Sequence, residues 1–515
     1  MSAPEMTAVQ TVDEQFAAIW AANGMQAQHP AIGAGSRELI RQQNYPEQVE
    51  SIVYVTDVTL RDGQQQRIDP VTVEQRVDVF DKIITTGVDR VEIGHLGNEV
   101  DREFAAAVVQ RVAQREREDE RYGRAKLQVL FGSQEDLIEK GTAALRDAFE
   151  ATYGEGWQEV MAEKTIIHVY DRLDDNLTSA STTPYNHQES AHRVSVAAQH
   201  AVNAGFKHFS ISAEAATAVP PEDAIQFYRS VTQHLVDQGV ATVNTNLANT
   251  YGYSRNQNWN TATMAIFNAA IKYGFPEGVV STSIHTHNDV DNAVDFAVGA
   301  VVAGFDRVEG TIVGMGERAG NVGNTDVVAR LLEAARHDHE ATLGQQESYI
   351  AGLAGRAALR RTVRLDQAVI DNIGNTYAAA ESVARTFGRH AEYRWLRSAA
   401  GNPYAHDNGS GPHDQLMAAA VMKPDKHPPY RNYEWFLALT GIFGRPLADE
   451  LAIGDHEAAK QVTVNNNAGG GKSNMLVSGE LAWPDAGVVD RAKQKYEDYK
   501  KAILGRMAAG AVLVG

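Results

Sequence analysis

His285-Thr286-His287 sets two imidazoles two positions apart, and on a β-strand side chains at that spacing share one face. Joined by a carboxylate and a carboxamide from other strand ends, two such imidazoles would make a site for a hard or borderline divalent cation. Candidates for both stand elsewhere in the chain. Carboxylates stand in Asp57-Val58-Thr59-Leu60-Arg61-Asp62-Gly63-Gln64-Gln65. A carboxamide ends Gly314-Met315-Gly316-Glu317-Arg318-Ala319-Gly320-Asn321. An isolated His-x-His more often means two histidines in a polar loop. The three stretches taken together reverse that balance in favour of a metal site.

A barrel would bring them together. From Val53 onward strand and helix patterns alternate, with candidate strands at 53–58, 89–94, 126–131, 164–170, 207–212, 241–246, 280–285 and 307–312. Helical patterns fall near 71–86, 99–117, 134–150, 187–204, 221–238, 257–273, 289–303 and 323–336. Eight β/α units over roughly 285 residues match the size of an α/β TIM barrel. In that fold the active site lies at the C-terminal ends of the strands, where Asp62, His285, His287 and Asn321 fall. A doubly wound open sheet ranks well below it, because no Gly-x-Gly-x-x-Gly follows the first strand. The division expected is an N-terminal helical extension over 1–50, a TIM-barrel catalytic domain over 51–337, and a mainly helical C-terminal region over 338–515. The stretch Phe149 to Lys164 exceeds a typical αβ connection and reads as a surface insertion. After Arg336 the alternation is expected to stop, with helix over 345–395, a Gly/Asn/Pro/His-rich loop at 398–413 and a lysine-rich closing helix near Val488–Leu504.

Composition narrows the function. The chain has 515 residues, 43% hydrophobic and 22% charged, as in ordinary globular proteins. Its net charge of −19 argues against a nucleic-acid or anionic-membrane partner, either of which would need a basic face. With no cysteine there is no disulfide, thiolate metal site or cysteine nucleophile, which fits a cytoplasmic protein. No run of 18 apolar residues occurs, and Met1 to Gln10 lacks the features of a signal peptide.

In their order and their placement at strand ends, the three stretches closely resemble the metal-dependent enzymes that condense an acyl-CoA with a 2-oxoacid. That group includes the 2-isopropylmalate, citramalate and homocitrate synthases, and shares a TIM barrel with the aldol lyases of the Asp-Arg-Glu superfamily. The resemblance implies that Asp62, His285, His287 and Asn321 hold a divalent Mg, Mn or Zn ion, with Asp289 steadying a histidine ring. A 2-oxoacid would chelate that ion through its carboxylate and keto oxygens, with acetyl-CoA as co-substrate. Arg61 would pair with the substrate and stabilise the developing alkoxide. Gln65 would hold the first loop or the substrate. His168, Ser212, Asn246 and Thr250 match residues lining the substrate site, Thr250 at a position that bonds the oxoacid carboxylate. Glu92 and Gly94 match the second strand, and Glu214 is linked to substrate handling. The base that removes the acetyl methyl proton would be His413, in Gly409-Ser410-Gly411-Pro412-His413-Asp414, with Tyr433-Glu434 following. The resemblance also implies a homodimer in which this second region reaches the neighbouring barrel.

The chain departs from the pattern in several places. Met417 to Val421 lacks the usual lysine, the later loop reads Ala468-Gly469-Gly470-Gly471-Lys472, and His456-Glu457 stands near where some members carry a tyrosine. Gly94-His95-Leu96-Gly97 replaces a Gly-Phe-Pro-like stretch, which points to a non-standard oxoacid; His95, Leu96, Asn98, Leu130 and Ser133 are candidates for its pocket. Asp62 in its motif favours an isopropylmalate- or citramalate-type enzyme over the fungal homocitrate type. A retro-aldol lyase is the second reading, although the hydroxymethylglutaryl-CoA enzyme relies on a cysteine loop. A catalytically dead paralogue is the third, and would be expected to lose metal ligands. The 43 residues after Lys472 are too few for a separate ligand-binding domain, so inhibition by branched-chain amino acids is not expected.

Overall fold

The computed structural model describes residues 49–65, 71–174, 186, 189–252, 259, 261–289, 292–317, 320–336 and 361–387. His413, Tyr433, His456 and nearly all of the expected N-terminal extension lie outside the described residues.

Eight strands alternate with helices: β1 Val49–Asp57, β2 Arg90–His95, β3 Lys126–Gly132, β4 Thr165–Arg172, β5 His208–Glu214, β6 Thr242–Asn249, β7 Val280–Thr286 and β8 Arg307–Gly310. Each is parallel to its neighbour, and β1 pairs with both β8 and β2, so the sheet closes. The barrel expected from the alternation is therefore present, with each strand within a few residues of its expected span. One set of strand residues, including Val91, Val129, Ile167, Ile211, Val243 and Val308, joins the core cluster shared with the helices. The alternate set is polar: Glu92, Gln128, His168, Ser210, Asn244, Ser283 and Glu309, all buried. This polar interior is the feature that makes the barrel a functional scaffold.

Local chemistry starts and anchors the helices. Thr72 caps Val73–Ile84 in a reciprocal capping box with Gln75. Pro221 opens Pro221–Asp237, where its missing N–H is no loss. From that helix Tyr228 packs edge-on against Phe267, and its hydroxyl donates to the Asn246 carbonyl while accepting from Ala213 N at 3.0 Å. An aromatic core residue thus fixes the upper ends of β5 and β6.

Two expectations need correction. Phe149 to Lys164 is no surface insertion: helix Glu135–Tyr153 continues to 153, and a second helix, Trp157–Lys164, buries Trp157 and Met161. Gly154 and Gly156, both with positive φ, make the break between them. The alternation also does not stop at Arg336. A ninth strand, β9 Arg361–Leu365, pairs parallel with the first half of β1, and helices Gln367–Asp371 and Asn375–Phe387 follow. The last of these packs on Val73–Ile84. Arg361-Thr362-Val363-Arg364-Leu365 holds the β-branched pair Thr362-Val363, but it is short, lacks a period-two pattern and sits in an Ala/Arg-rich context that reads as helix.

The end of β1 is clasped to β8. Asp57 accepts from Thr59 N at 3.0 Å and from Asn324 Nδ2 at 2.9 Å. Thr59 Oγ1 accepts from Ile312 N at 2.8 Å. Among the described residues no helix is long and apolar enough to cross a membrane.

Burial pushes the Asp57 carboxyl up to about 6, and its hydrogen bonds from Thr59 and Asn324 offset only part of that. Between the ordinary carboxylate value and about 6 the folded chain holds a proton that the unfolded chain has released. Stability therefore falls as pH rises through that window and levels above it. Asp57→Asn keeps an acceptor for Thr59 and removes the titration. From about pH 4 to about pH 7 its unfolding free energy should change by on the order of 2 kcal/mol less than the parent's, read from urea midpoints. Parallel pH curves for the two proteins would contradict this.

Candidate active site

The β1–α loop carries Arg61 and Asp62, and both side chains are buried at the barrel mouth. Asp62, His285 and His287 offer donor atoms that all lie within 4.8 Å of one another, the one such group of three among the described residues. Asp62 Oδ2 is 3.7 Å from Nε2 of His285 and 3.9 Å from Nε2 of His287. Those separations exceed a hydrogen bond. They fit two ligands of one ion, since donors about 2.1 Å from a shared cation sit roughly 3–4 Å apart.

Asn321 reaches this group through backbone pairing. It bridges antiparallel to His287, Asn288 N donates to Gly320 O at 2.9 Å, and Val322 N donates to Thr286 O at 2.9 Å. Its Nδ2 donates to Asp62 Oδ2 at 2.6 Å and to Met315 O at 3.0 Å. Gly316, at φ +150°, is required here: a Cβ would lie 2.2 Å from Asn321 Nδ2. The Asn321 Oδ1 is buried without a hydrogen-bond partner among the described residues. A half-turn of the amide exchanges oxygen and nitrogen and would present that oxygen beside Asp62.

The electrostatics suit a cation. Burial alone would raise the Asp62 carboxyl, but Arg61, the two imidazoles and the Asn321 amide outweigh it and hold Asp62 well below the usual carboxylate range. Burial depresses the His285 imidazole, which keeps a neutral lone pair. His285 Nδ1 lies 3.4 Å from the Glu309 carbonyl on β8, so a backbone oxygen meets this ring. An ionised carboxylate, a neutral buried imidazole and an orphaned amide oxygen are a donor set that fits a divalent metal ion.

Arg61 lies between two carboxylates, donating from Nη1 to Asp62 and from Nε to Glu92. Burial works against its charge, but Asp62 and Glu92 raise its pKa and keep it cationic. Glu92 continues inward: its Oε1 is 2.5 Å from His168 Nδ1 and accepts from Gln128 Nε2 at 3.0 Å. His168 Nε2 is 2.6 Å from Ser212 Oγ. Deeper still, Glu309 Oε1 accepts from Ser283 Oγ at 2.6 Å and from Asn244 Nδ2 at 3.3 Å.

The remaining expected residues divide. Glu214, at the end of β5, accepts from Arg172 Nε at 3.0 Å, and burial raises its carboxyl despite that partner. Thr250 Oγ1 accepts from Ala215 N at 2.7 Å, and Ala215 is left-handed at φ 62°. The threonine hydroxyl thus helps hold the backbone turn that aims Glu214. Asn246 is buried on β6, opposite Ser212 in register. Gln65 ends a 3-10 turn, Gly63–Gln65, and is half-buried. Gly94, at φ +135° in β2, abuts Asp101. Of the pocket candidates, His95 meets Tyr170 edge-on at 6.2 Å, and Ser133 donates to Asp171 Oδ2 at 2.7 Å. Leu96 and Leu130 are buried, and Asn98 starts helix Glu99–Arg115.

Sequence reasoning missed Gln128, Glu309 and Arg172. The signal was there for the first two: Leu127-Gln128-Val129 and Val308-Glu309-Gly310 each place one polar residue in a buried strand, where it must face a polar partner.

Residues 52–348 match the HMGL-like family, a span running through the barrel strands and past β8. 2-Isopropylmalate synthase from Pyrococcus abyssi is 30% identical over 288 residues, covering 54% of this chain and 50% of that protein. The enzyme of the same name from Brevibacillus brevis is 28% identical over 296 residues, 56% and 50%. The chain thus spans about half the length of these curated relatives. Among solved structures, HMG-CoA lyase from Brucella melitensis aligns with a TM-score of 0.42 at 18% identity, covering 64% of this chain and 98% of that one. The family match covers more than half of the chain and takes in Asp62, both strand-seven histidines and Asn321. The chain belongs to the HMGL-like family.

Proposed function

We propose that the protein is a metal-dependent acyltransferase that condenses acetyl-CoA with a 2-oxoacid and then hydrolyses the thioester, in the manner of 2-isopropylmalate synthases. The observation that carries this reading is the convergence of Asp62, His285, His287 and Asn321 at three strand ends, with a buried cationic Arg61 alongside.

Those four residues would hold the ion, which when bound supplies Lewis acidity at the keto oxygen of the oxoacid. Arg61 neutralises charge that develops on that oxygen during C–C bond formation; buried and already ordered by two carboxylates, it needs little reorganisation to do so. Glu92 holds the guanidinium from the far side. Glu214 and Asn246 line the ends of the adjoining strands and would orient the substrate. The base for the acetyl methyl proton is assigned on sequence to His413, with Tyr433 following it in the chain.

The function is tested by thiol release from acetyl-CoA over a panel of 2-oxoacids, with and without EDTA. One or more oxoacids should stimulate release, chelation should abolish it, and a divalent ion should restore it. Full activity in metal-stripped protein would contradict the reading. The His285→Ala variant should fold, lose bound divalent metal as measured by elemental analysis, and turn over more slowly by several orders of magnitude.

Arg61→Gln leaves Asp62 and Glu92 as buried carboxylates without a counter-charge, so it should destabilise the fold by about 3–5 kcal/mol in urea unfolding. Arg61→Lys keeps a charge but cannot bridge two carboxylates with a planar fork. Its kcat should fall on the order of 10²–10³-fold. Parent-like turnover in the lysine variant would remove Arg61 from the mechanism.

A further inference from the structure

Metal binding and carbonyl activation leave His168 and Ser212, on the inner side of Glu92, without a chemical step. Ser212 Oγ lies 2.6 Å from Nε2 of His168, and Nδ1 of the same ring lies 2.5 Å from Oε1 of Glu92. The three residues come from β5, β4 and β2, and each is buried. Glu92 is held ionised: burial opposes this, but the Arg61 guanidinium and the hydrogen bonds from His168 and Gln128 outweigh it. A carboxylate can only accept, so a neutral ring keeps its proton on Nδ1 and offers the Nε2 lone pair to the serine hydroxyl. Hydroxyl, imidazole and carboxylate at these distances are the chain of groups that activates a serine nucleophile. The fourth component is adjacent. Asn246 pairs in register with Ser212 on the next strand, and a buried carboxamide is a side chain able to donate to a tetrahedral oxyanion.

We propose that Ser212 is the nucleophile of the thioester-cleaving half of the reaction, with His168 as its general base and Glu92 as the residue that positions the ring. This rests on the acyl-CoA-condensing reading above. Ser212 Oγ adds to the thioester carbonyl of the condensed acyl-CoA while its proton passes to His168 Nε2. The C–S bond breaks, and the departing sulfur takes that proton to leave as free thiol. Water then adds to the ester on Ser212, giving a proton to His168. The C–O bond breaks, and the proton returns to Ser212 Oγ. The products are the thiol and the carboxylic acid. Thiol release and C–C bond formation thereby become separable. Residues that only bound substrate would slow both together.

The test uses the full chain with divalent metal, acetyl-CoA and the 2-oxoacid it turns over, with condensed thioester, free thiol and acid quantified by mass spectrometry. Ser212→Ala and His168→Asn should shift the ratio of intact condensed thioester to free acid by about 10²-fold or more, whatever their total turnover. Ser212→Cys introduces the sole thiol in a chain with no cysteine, and its intact mass should rise by the condensed acyl group, removable by hydroxylamine. Thiol and acid released by Ser212→Ala in the parent proportion would overturn the proposal. A fluorophosphonate probe gives an arm independent of condensation: it should add to Ser212 of the parent, fail on Ser212→Ala and slow on His168→Asn. No adduct on the parent would overturn the activated serine. An adduct on Ser212 in a protein that condenses no oxoacid would leave the nucleophile standing and remove the condensing function instead.

Discussion

The mouth of the barrel depends on one buried cation. Arg61 sits between Asp62 on its own loop and Glu92 on β2, and those two carboxylates keep its charge in place. Each carboxylate then serves a different neighbourhood. Asp62 faces the two imidazoles and the Asn321 amide, while Glu92 faces His168. A buried ion pair of this kind adds little net stability, because desolvation consumes most of the Coulombic gain. What it confers is placement: two acidic groups held apart, both ionised, with their charge balance set by one guanidinium. Breaking it would leave like charges buried side by side, so the loop and the barrel interior depend on each other.

A barrel interior filled with Glu92, Gln128, His168, Asn244, Ser283 and Glu309 is costly unless each group finds a partner. The partners come from neighbouring strands, as with Gln128 to Glu92 and Ser283 to Glu309. Register therefore matters more here than in an aliphatic barrel, since a one-residue slip would turn every one of these groups outward. The external clasps answer that need. Asp57 ties β1 to Asn324, Tyr228 ties the helix layer to β5 and β6, and β9 extends the pairing of β1 beyond the barrel.

Much of this was legible in the chain because it is local. His285 and His287 share a face by strand periodicity alone, and the eight strand patterns each stand within a few residues of the strands observed. The resemblance added Asp62 and Asn321, and the structure brings Asn321 to Asp62 across 259 positions of sequence. What local pattern could not convey was pairing across strands. Glu92 and His168 are separated by 76 positions, His168 and Ser212 by 44, and nothing near any of them announces the contact. The Thr250 hydroxyl accepts from the buried N–H of Ala215, 35 positions away, a contact that no local pattern announces. β9 was hidden by its alanine- and arginine-rich surroundings, and Phe149 to Lys164 by a glycine break that looked like a loop.

The central claim is that Asp62, His285, His287 and Asn321 act together as ligands of one divalent ion. X-ray absorption at the metal edge, on the full chain loaded with one equivalent of zinc or manganese, tests it directly. The account predicts a shell of nitrogen and oxygen donors with the outer-shell scattering of two imidazole rings. An oxygen-only shell without imidazole scattering would place the ion elsewhere and contradict the account.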